Sequence, residues 1–187
     1  MATNERKSGF AIWIVGLSSA GKSTLAHLLE ERLVERGYSS VVLEPSSGNE
    51  LWMRLLKDLG VKERAFGREG KYKITQRLSY VSKLITQAGG IVIVPWISQE
   101  ESWRDEARKE IGRYVEVYVE CPIETCAQRD GKGLYAAARE RVTDLAGVHE
   151  RFDPPQNPEV MVHSDGQSPE ECAAIVMERL NSLGYVR

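Results

Sequence analysis

Nine consecutive residues, Gly16-Leu17-Ser18-Ser19-Ala20-Gly21-Lys22-Ser23-Thr24, stand between an apolar run, Phe10 to Val15, and an amphipathic one, Leu25 to Leu33. Glycines at both ends let such a loop turn its backbone N–H groups around a phosphate, while the helix that follows aims the positive end of its dipole at the same point. Gly16, Ser18, Ser19, Ala20, Gly21 and Thr24 then form the cradle, Lys22 reaches the β- and γ-phosphates, and the Ser23 hydroxyl is offered to Mg²⁺. The spacing predicts a buried strand, a phosphate-binding loop and a helix, in that order.

The elements that must position this loop follow from the rest of the chain. Its 187 residues suit one domain, and its formal net charge of −2 comes from mixed charges with no basic block, which argues against nucleic acid as a partner. The polar start, Met1 to Gly9, and the short apolar run after it fit neither a secretion signal nor a membrane span, so a cytoplasmic protein without membrane contact is expected. Cys121, Cys126 and Cys172 lack metal or disulfide spacing and read as small buried residues; His27, His149 and His163 are scattered singly.

Apolar runs of strand length alternate with helical patterns along the whole chain, the mark of an α/β fold with a parallel sheet covered by helices on both faces. With the loop at its head, this is a P-loop NTPase of three α/β/α layers around a central five-stranded parallel sheet. Strands are expected at residues 11–15, 40–43, 90–94, 115–120 and 160–163, and helices at 22–36, 50–59, 71–87, 101–112, 123–129 and 169–183. Ser168, Pro169, Glu171 and Gly184 supply the cap, first turn, capping box and stop of the last helix. Ligands in such sheets sit beyond the carboxyl ends of the strands, which directs attention to the loop and to residues 44–49, 95–101, 121–123 and 129–158.

Gln128-Arg129-Asp130-Gly131-Lys132-Gly133-Leu134-Tyr135 with Ala138-Arg139, Lys57-Asp58-Leu59-Gly60, Ile97-Ser98, and Asn157-Pro158-Glu159 accompany the loop along the chain. Together they resemble the adenylylsulfate (APS) kinase family, P-loop enzymes that phosphorylate the 3′-hydroxyl of adenosine 5′-phosphosulfate with MgATP. The resemblance implies ATP and Mg²⁺ as cofactors, a small-molecule acceptor, and a lid over roughly residues 129–158. It places Arg129 near ATP, and Lys132 with Gly133 and Leu134 near the transferred or acceptor phosphates. Trp96, Ile97 and Ser98 line the acceptor side, and the loop opened by Phe152 helps enclose the acceptor's adenine. A homodimer is compatible with this reading.

The departures fall on the acceptor side. Where the family carries Leu-Asp-Gly-Asp-Asn followed by arginine, this chain has Leu43-Glu44-Pro45-Ser46-Ser47-Gly48-Asn49. Ser46 stands for the carboxylate that accepts the attacking hydroxyl's proton, and Asn49 for the guanidinium that holds the substrate; a serine is a poor base unless activated. Glu44 is then the preferred base, with a role in orienting Mg²⁺ through water, or in holding the loop, as its alternatives. Trp96 keeps an aromatic face where the family has phenylalanine. The expectation is a small-molecule kinase with a modified acceptor, poor on adenylylsulfate itself. Its rival is a nucleotide-binding regulatory or assembly subunit with weakened catalysis; a GTPase switch is disfavoured because no Asn-Lys-x-Asp-type segment is present.

Overall fold

The computed structural model of the chain describes residues 9–45, 54, 67–140 and 144–187. Ser46, Asn49, Lys57 to Gly60 and nearly all of the helix expected at 50–59 lie outside them. In chain order the described elements are β1 (Phe10–Val15), α1 (Lys22–Glu35), β2 (Ser40–Val42), α2 (Arg68–Gln87), β3 (Ile91–Pro95), α3 (Glu101–Ile111), β4 (Tyr114–Glu120), α4 (Ile123–Gln128), α5 (Leu134–Arg139), β5 (Val160–His163) and α6 (Pro169–Ser182).

All strands pair in parallel, in the order β2-β3-β1-β4-β5. β1 is central, with Ile12 paired to Ile93 on one side and to Val115 on the other, and every one of its residues is buried. A strand alternates its side chains, so Phe10, Ile12 and Ile14 join one core with Leu25, Leu29 and Leu33 of α1 and Val176 and Leu180 of α6. Ala11, Trp13 and Val15 join the other, with Ile74 and Leu78 of α2 and Ala107 and Ile111 of α3. Two-sided burial explains why β1 reads as an unbroken apolar run. β5, at the sheet edge, alternates buried and exposed residues instead, with Met161 turned to solvent.

The expected strands agree with these to within one residue at either end. The last helix carries the predicted capping box: Ser168 Oγ accepts from the Glu171 N–H, and the Glu171 carboxylate accepts from the Ser168 N–H. Two differences have physical causes. Helix α2 starts at Arg68, three residues earlier than predicted, with Glu69 in its first turn and paired to Lys73 one turn on. The stretch after Arg129, read as a long polar loop, contains α5. Six residues give too short a period to detect, and the helix is held by Asp130, whose carboxylate accepts from the Leu134 N–H at 3.0 Å and the Tyr135 N–H at 2.7 Å.

Candidate active site

Strand order reverses direction at β1, and the loop that follows it opens into a cleft of about 780 Å³ beyond the carboxyl ends of the strands. Gly16 passes so close to β4 that a Cβ there would stand 2.5 Å from the Val119 carbonyl oxygen, so no other residue fits. Ser19 (φ 63°) and Gly21 (φ 96°) take the left-handed conformation that bends the loop back into α1. Ala20 is buried beneath the bend, its N–H donating to the Leu17 carbonyl. Ser18, Ser19, Gly21, Lys22, Ser23 and Thr24 line the cleft.

The Lys22 ammonium donates to the Leu17 carbonyl at 2.6 Å. Burial pushes its pKa down to about 8, against the attraction of neighbouring groups that include the Glu44 carboxylate, while the Lys132 ammonium adds to the lowering. A cation costly to desolvate and rimmed by a second cation is a site that gains by receiving an anion. Ser23 donates to Glu44 Oε1 at 2.7 Å, and Glu44 Oε2 stands 4.0 Å from His27 Nε2. Glu44 is delivered there because β2 is anchored on both sides: Glu30 of α1 accepts from the Val42 N–H, and the Leu43 N–H continues the ladder to the Ile93 carbonyl. Two hard oxygen donors, the Ser23 hydroxyl and the Glu44 carboxylate, therefore sit side by side at the start of α1, a donor set that fits Mg²⁺ completed by water and phosphate.

Toward β4 and β5 the cleft is walled by Arg129, Ser164, Gln167, Pro169 and Cys172. Arg129, exposed, donates to the Ser164 carbonyl at 2.9 Å and to its hydroxyl at 3.4 Å. Lys132 and Leu134 reach the rim, whereas Gly133 (φ 66°) is the turn that starts α5 and does not face the cleft. The sequence reading gave no role to Tyr135. It is buried, and its hydroxyl donates to the Ser18 carbonyl at 2.9 Å, clamping the phosphate loop from above. Burial, together with the nearby Cys126, raises its pKa well out of reach of neutral pH.

Toward β2 and β3 the wall is Pro45, Pro95, Trp96, Ile97, Leu145 and Ala146, with Lys71 of α2 among them. Trp96 is held by its Nε1–H donating to Thr75 Oγ1 at 3.0 Å. Ser98 is not on this wall: it is fully buried, accepts from Trp13 Nε1 at 2.9 Å, and gives its carbonyl to Arg104 at 2.8 Å, so it props the segment from below. Phe152 also stays off the wall, its ring 6.3 Å from that of Tyr118 and packed on the α2/α3 face of the sheet. Lys71 was missed because a lysine near the start of an amphipathic helix carries no distinguishing spacing; only the fold brings it opposite the loop. All three cysteines are free and buried, as expected, and burial with Cys121 alongside pushes the Cys126 thiol up to about 12.

A phosphate loop at the switch point of a five-stranded parallel sheet, with a hydroxyl and carboxylate poised for a metal and two cations at the rim, defines a P-loop phosphotransferase. Known proteins narrow that class. The sequence model of adenylylsulphate kinase matches residues 8–163. The adenylyl-sulfate kinase of Rippkaea orientalis is 38% identical over 97% of this chain and 96% of its own, and the probable adenylyl-sulfate kinase of Pyrococcus abyssi 41% identical over 95% and 98%. The structure of the Mycobacterium tuberculosis APS kinase in complex with AMPPNP and APS superposes with a TM-score of 0.82 at 34% identity, covering 93% of this chain and 98% of that one. The chain belongs to the adenylyl-sulfate kinase family and is an ATP-dependent kinase of a small-molecule acceptor. Among the described residues no helix is long and apolar enough to cross a membrane.

Proposed function

We propose that this chain transfers the γ-phosphate of MgATP to the 3′-hydroxyl of a 5′-substituted nucleotide of the adenylylsulfate type, and that it turns over adenylylsulfate itself slowly. The observation that carries this reading is the division of one cleft by the phosphate loop. We read the end of the cleft lined by Arg129, Ser164 and Gln167 as the nucleoside pole and the end lined by Trp96 as the acceptor pole. The backbone of residues 16–24 and the Lys22 ammonium hold the donor's phosphates. Ser23 and Glu44 would hold Mg²⁺, which when bound neutralises charge on the β- and γ-phosphates. Glu44, already committed to Ser23, serves the metal side. Arg129 and Lys132, carried by α4, α5 and the segment after them as a lid over 129–158, bring positive charge to the oxygens of the group in flight.

The slow rate is inferred from two departures in the sequence. Phosphoryl transfer passes through a loose transition state, so positioning and electrostatics carry most of the catalysis and the attacking hydroxyl can lose its proton late. Ser46 stands in the sequence where the family has its carboxylate and Asn49 where it has its guanidinium, and loss of a positioned base costs about 10²- to 10⁴-fold. A coupled assay of ADP release tests this: adenylylsulfate should stimulate release, at less than the ~1 s⁻¹ of a typical kinase. A rate at or above that value would mean that the substitutions leave the acceptor site intact. The proposed assembly is a homodimer and the proposed location cytoplasmic; light scattering at twice the chain mass checks the former.

A further inference from the structure

Among the described residues, Ser19 and Ser98 are the two non-glycine residues with positive φ. Ser19 belongs to the phosphate loop; Ser98, at φ 32°, directly follows Trp96 and Ile97 on the cleft wall. A non-glycine residue there is strained and keeps its place only where its surroundings fix it. Ser98 is fixed from beneath. Its carbonyl accepts from Arg104 Nη1 at 2.8 Å, and Arg104 Nε stands 3.0 Å from Glu116 Oε1, with only 3% and 10% of the Arg104 and Glu116 side chains exposed. Glu116 is set in β4, and Arg108 stands 3.7 Å from its other oxygen. The Arg104 guanidinium therefore bridges the strand and the turn.

A buried ion pair adds little stability over apolar side chains of the same volume, so net stability is a weak reason for this one. What Arg104 does supply is a donor to a buried carbonyl in a strained turn. Without that donor the carbonyl is left unpaired and the turn must relax. Trp96 is anchored independently, its N–H donating to the Ile14 carbonyl at 3.1 Å and its ring N–H to Thr75, so the relaxation falls on Ile97 between them. We propose that Arg104, oriented by Glu116, is a positioning residue for the acceptor: it holds the Ser98 turn so that Ile97 keeps its place on the cleft wall beside Trp96. The inference rests on the reading of the Trp96 end of the cleft as the acceptor pole.

Calorimetric titration of adenylylsulfate into protein filled with MgADP tests it, in the wild type, Arg104→Lys, Glu116→Gln and Arg104→Met/Glu116→Leu, well below the Tm of each. Lysine keeps the charge for Glu116 but lacks the planar fork that spans both partners, and the apolar pair keeps the packing while removing the donor. Both should weaken adenylylsulfate binding about tenfold or more, while MgADP affinity, read in a separate titration, stays within about twofold. Glu116→Gln, whose amide oxygen still faces Arg104, should stay within about threefold of wild type for adenylylsulfate. Near-wild-type adenylylsulfate affinity in Arg104→Lys and in the apolar pair overturns the proposal. So does an equal loss of MgADP affinity, an equal loss in Glu116→Gln, or a wild type that binds no adenylylsulfate. If the apolar pair does not fold, Arg104→Lys against Glu116→Gln decides. The functional reading fails separately, when the wild type binds adenylylsulfate but passes no phosphate to it from MgATP.

Discussion

Tyr135→Phe removes one oxygen atom and leaves the ring packing unchanged, so its effect isolates the clamp on the phosphate loop. The hydroxyl lies 2.9 Å from the Ser18 carbonyl and also meets the Cys126 thiol. A neutral hydrogen bond contributes about 1 kcal/mol net, and an acceptor left unpaired in a buried place costs about 1–3 kcal/mol. Ser18 is half-buried and lines the cleft, so water reaches its carbonyl in part, which puts the loss near the lower end, about 1–2 kcal/mol. For a chain of this size that lowers Tm by roughly 2–8 °C. The released carbonyl no longer fixes the peptide that aims N–H groups at the phosphates, so MgATP affinity should also fall, by up to about tenfold if 1.4 kcal/mol of the loss is felt there. Thermal unfolding followed by circular dichroism, and calorimetric titration with MgATP, measure the two parts. A Tm within about 1 °C of wild type together with unchanged affinity would refute the clamp.

Four further outcomes follow. With its pKa lowered to about 8, Lys22 should lose its proton as pH rises, so MgATP affinity holds below pH 7 and falls about tenfold by pH 9; a flat profile to pH 10 by calorimetry contradicts this. Because the folded chain then binds fewer protons than the unfolded one between about 8 and 10.5, Lys22 makes unfolding free energy rise with pH across that window, a slope that Lys22→Met should reduce in urea titrations. Alanine at Arg129 or Lys132 should lower kcat by about 10² or more with a smaller effect on nucleotide affinity, since these cations act most on the charge developed in transfer; near-normal kcat in both would make them surface charges. Glu44→Gln should raise the Mg²⁺ concentration needed for half-maximal rate while leaving the pH dependence of kcat in place, whereas loss of its acid limb would identify Glu44 as the base.

The parts of this fold legible in the sequence were those with a strong local signature. β1 needed only its apolar run, the phosphate loop its glycines and Lys22-Ser23, and α6 its Ser168/Glu171 box. Helix α5 was hidden because its start is fixed by the Asp130 side chain rather than by periodicity. At the site, the donor half was legible because its residues are consecutive. The wall proposed for the acceptor is assembled from α2, the segment after β3 and residues 144–146, and such proximity leaves no trace in spacing. Lys71 donates to Glu150, 79 positions away, and each reads singly as a solvated charge. Ser98 was misplaced for a related reason: a serine beside Trp96 and Ile97 looks like cleft lining until Trp13 and Arg104 claim its hydroxyl and carbonyl from beneath.

The central claim is that this cleft moves a phosphoryl group from ATP to a nucleotide hydroxyl. Incubating the protein with MgATP labelled at the γ-phosphate and with adenylylsulfate, then separating the products, tests it most directly. The account predicts label in a new nucleotide phosphorylated at its 3′-position, formed slowly by the wild type and absent with Lys22→Ala. Label recovered only in ATP and inorganic phosphate, in equal amounts with and without the acceptor, would contradict it.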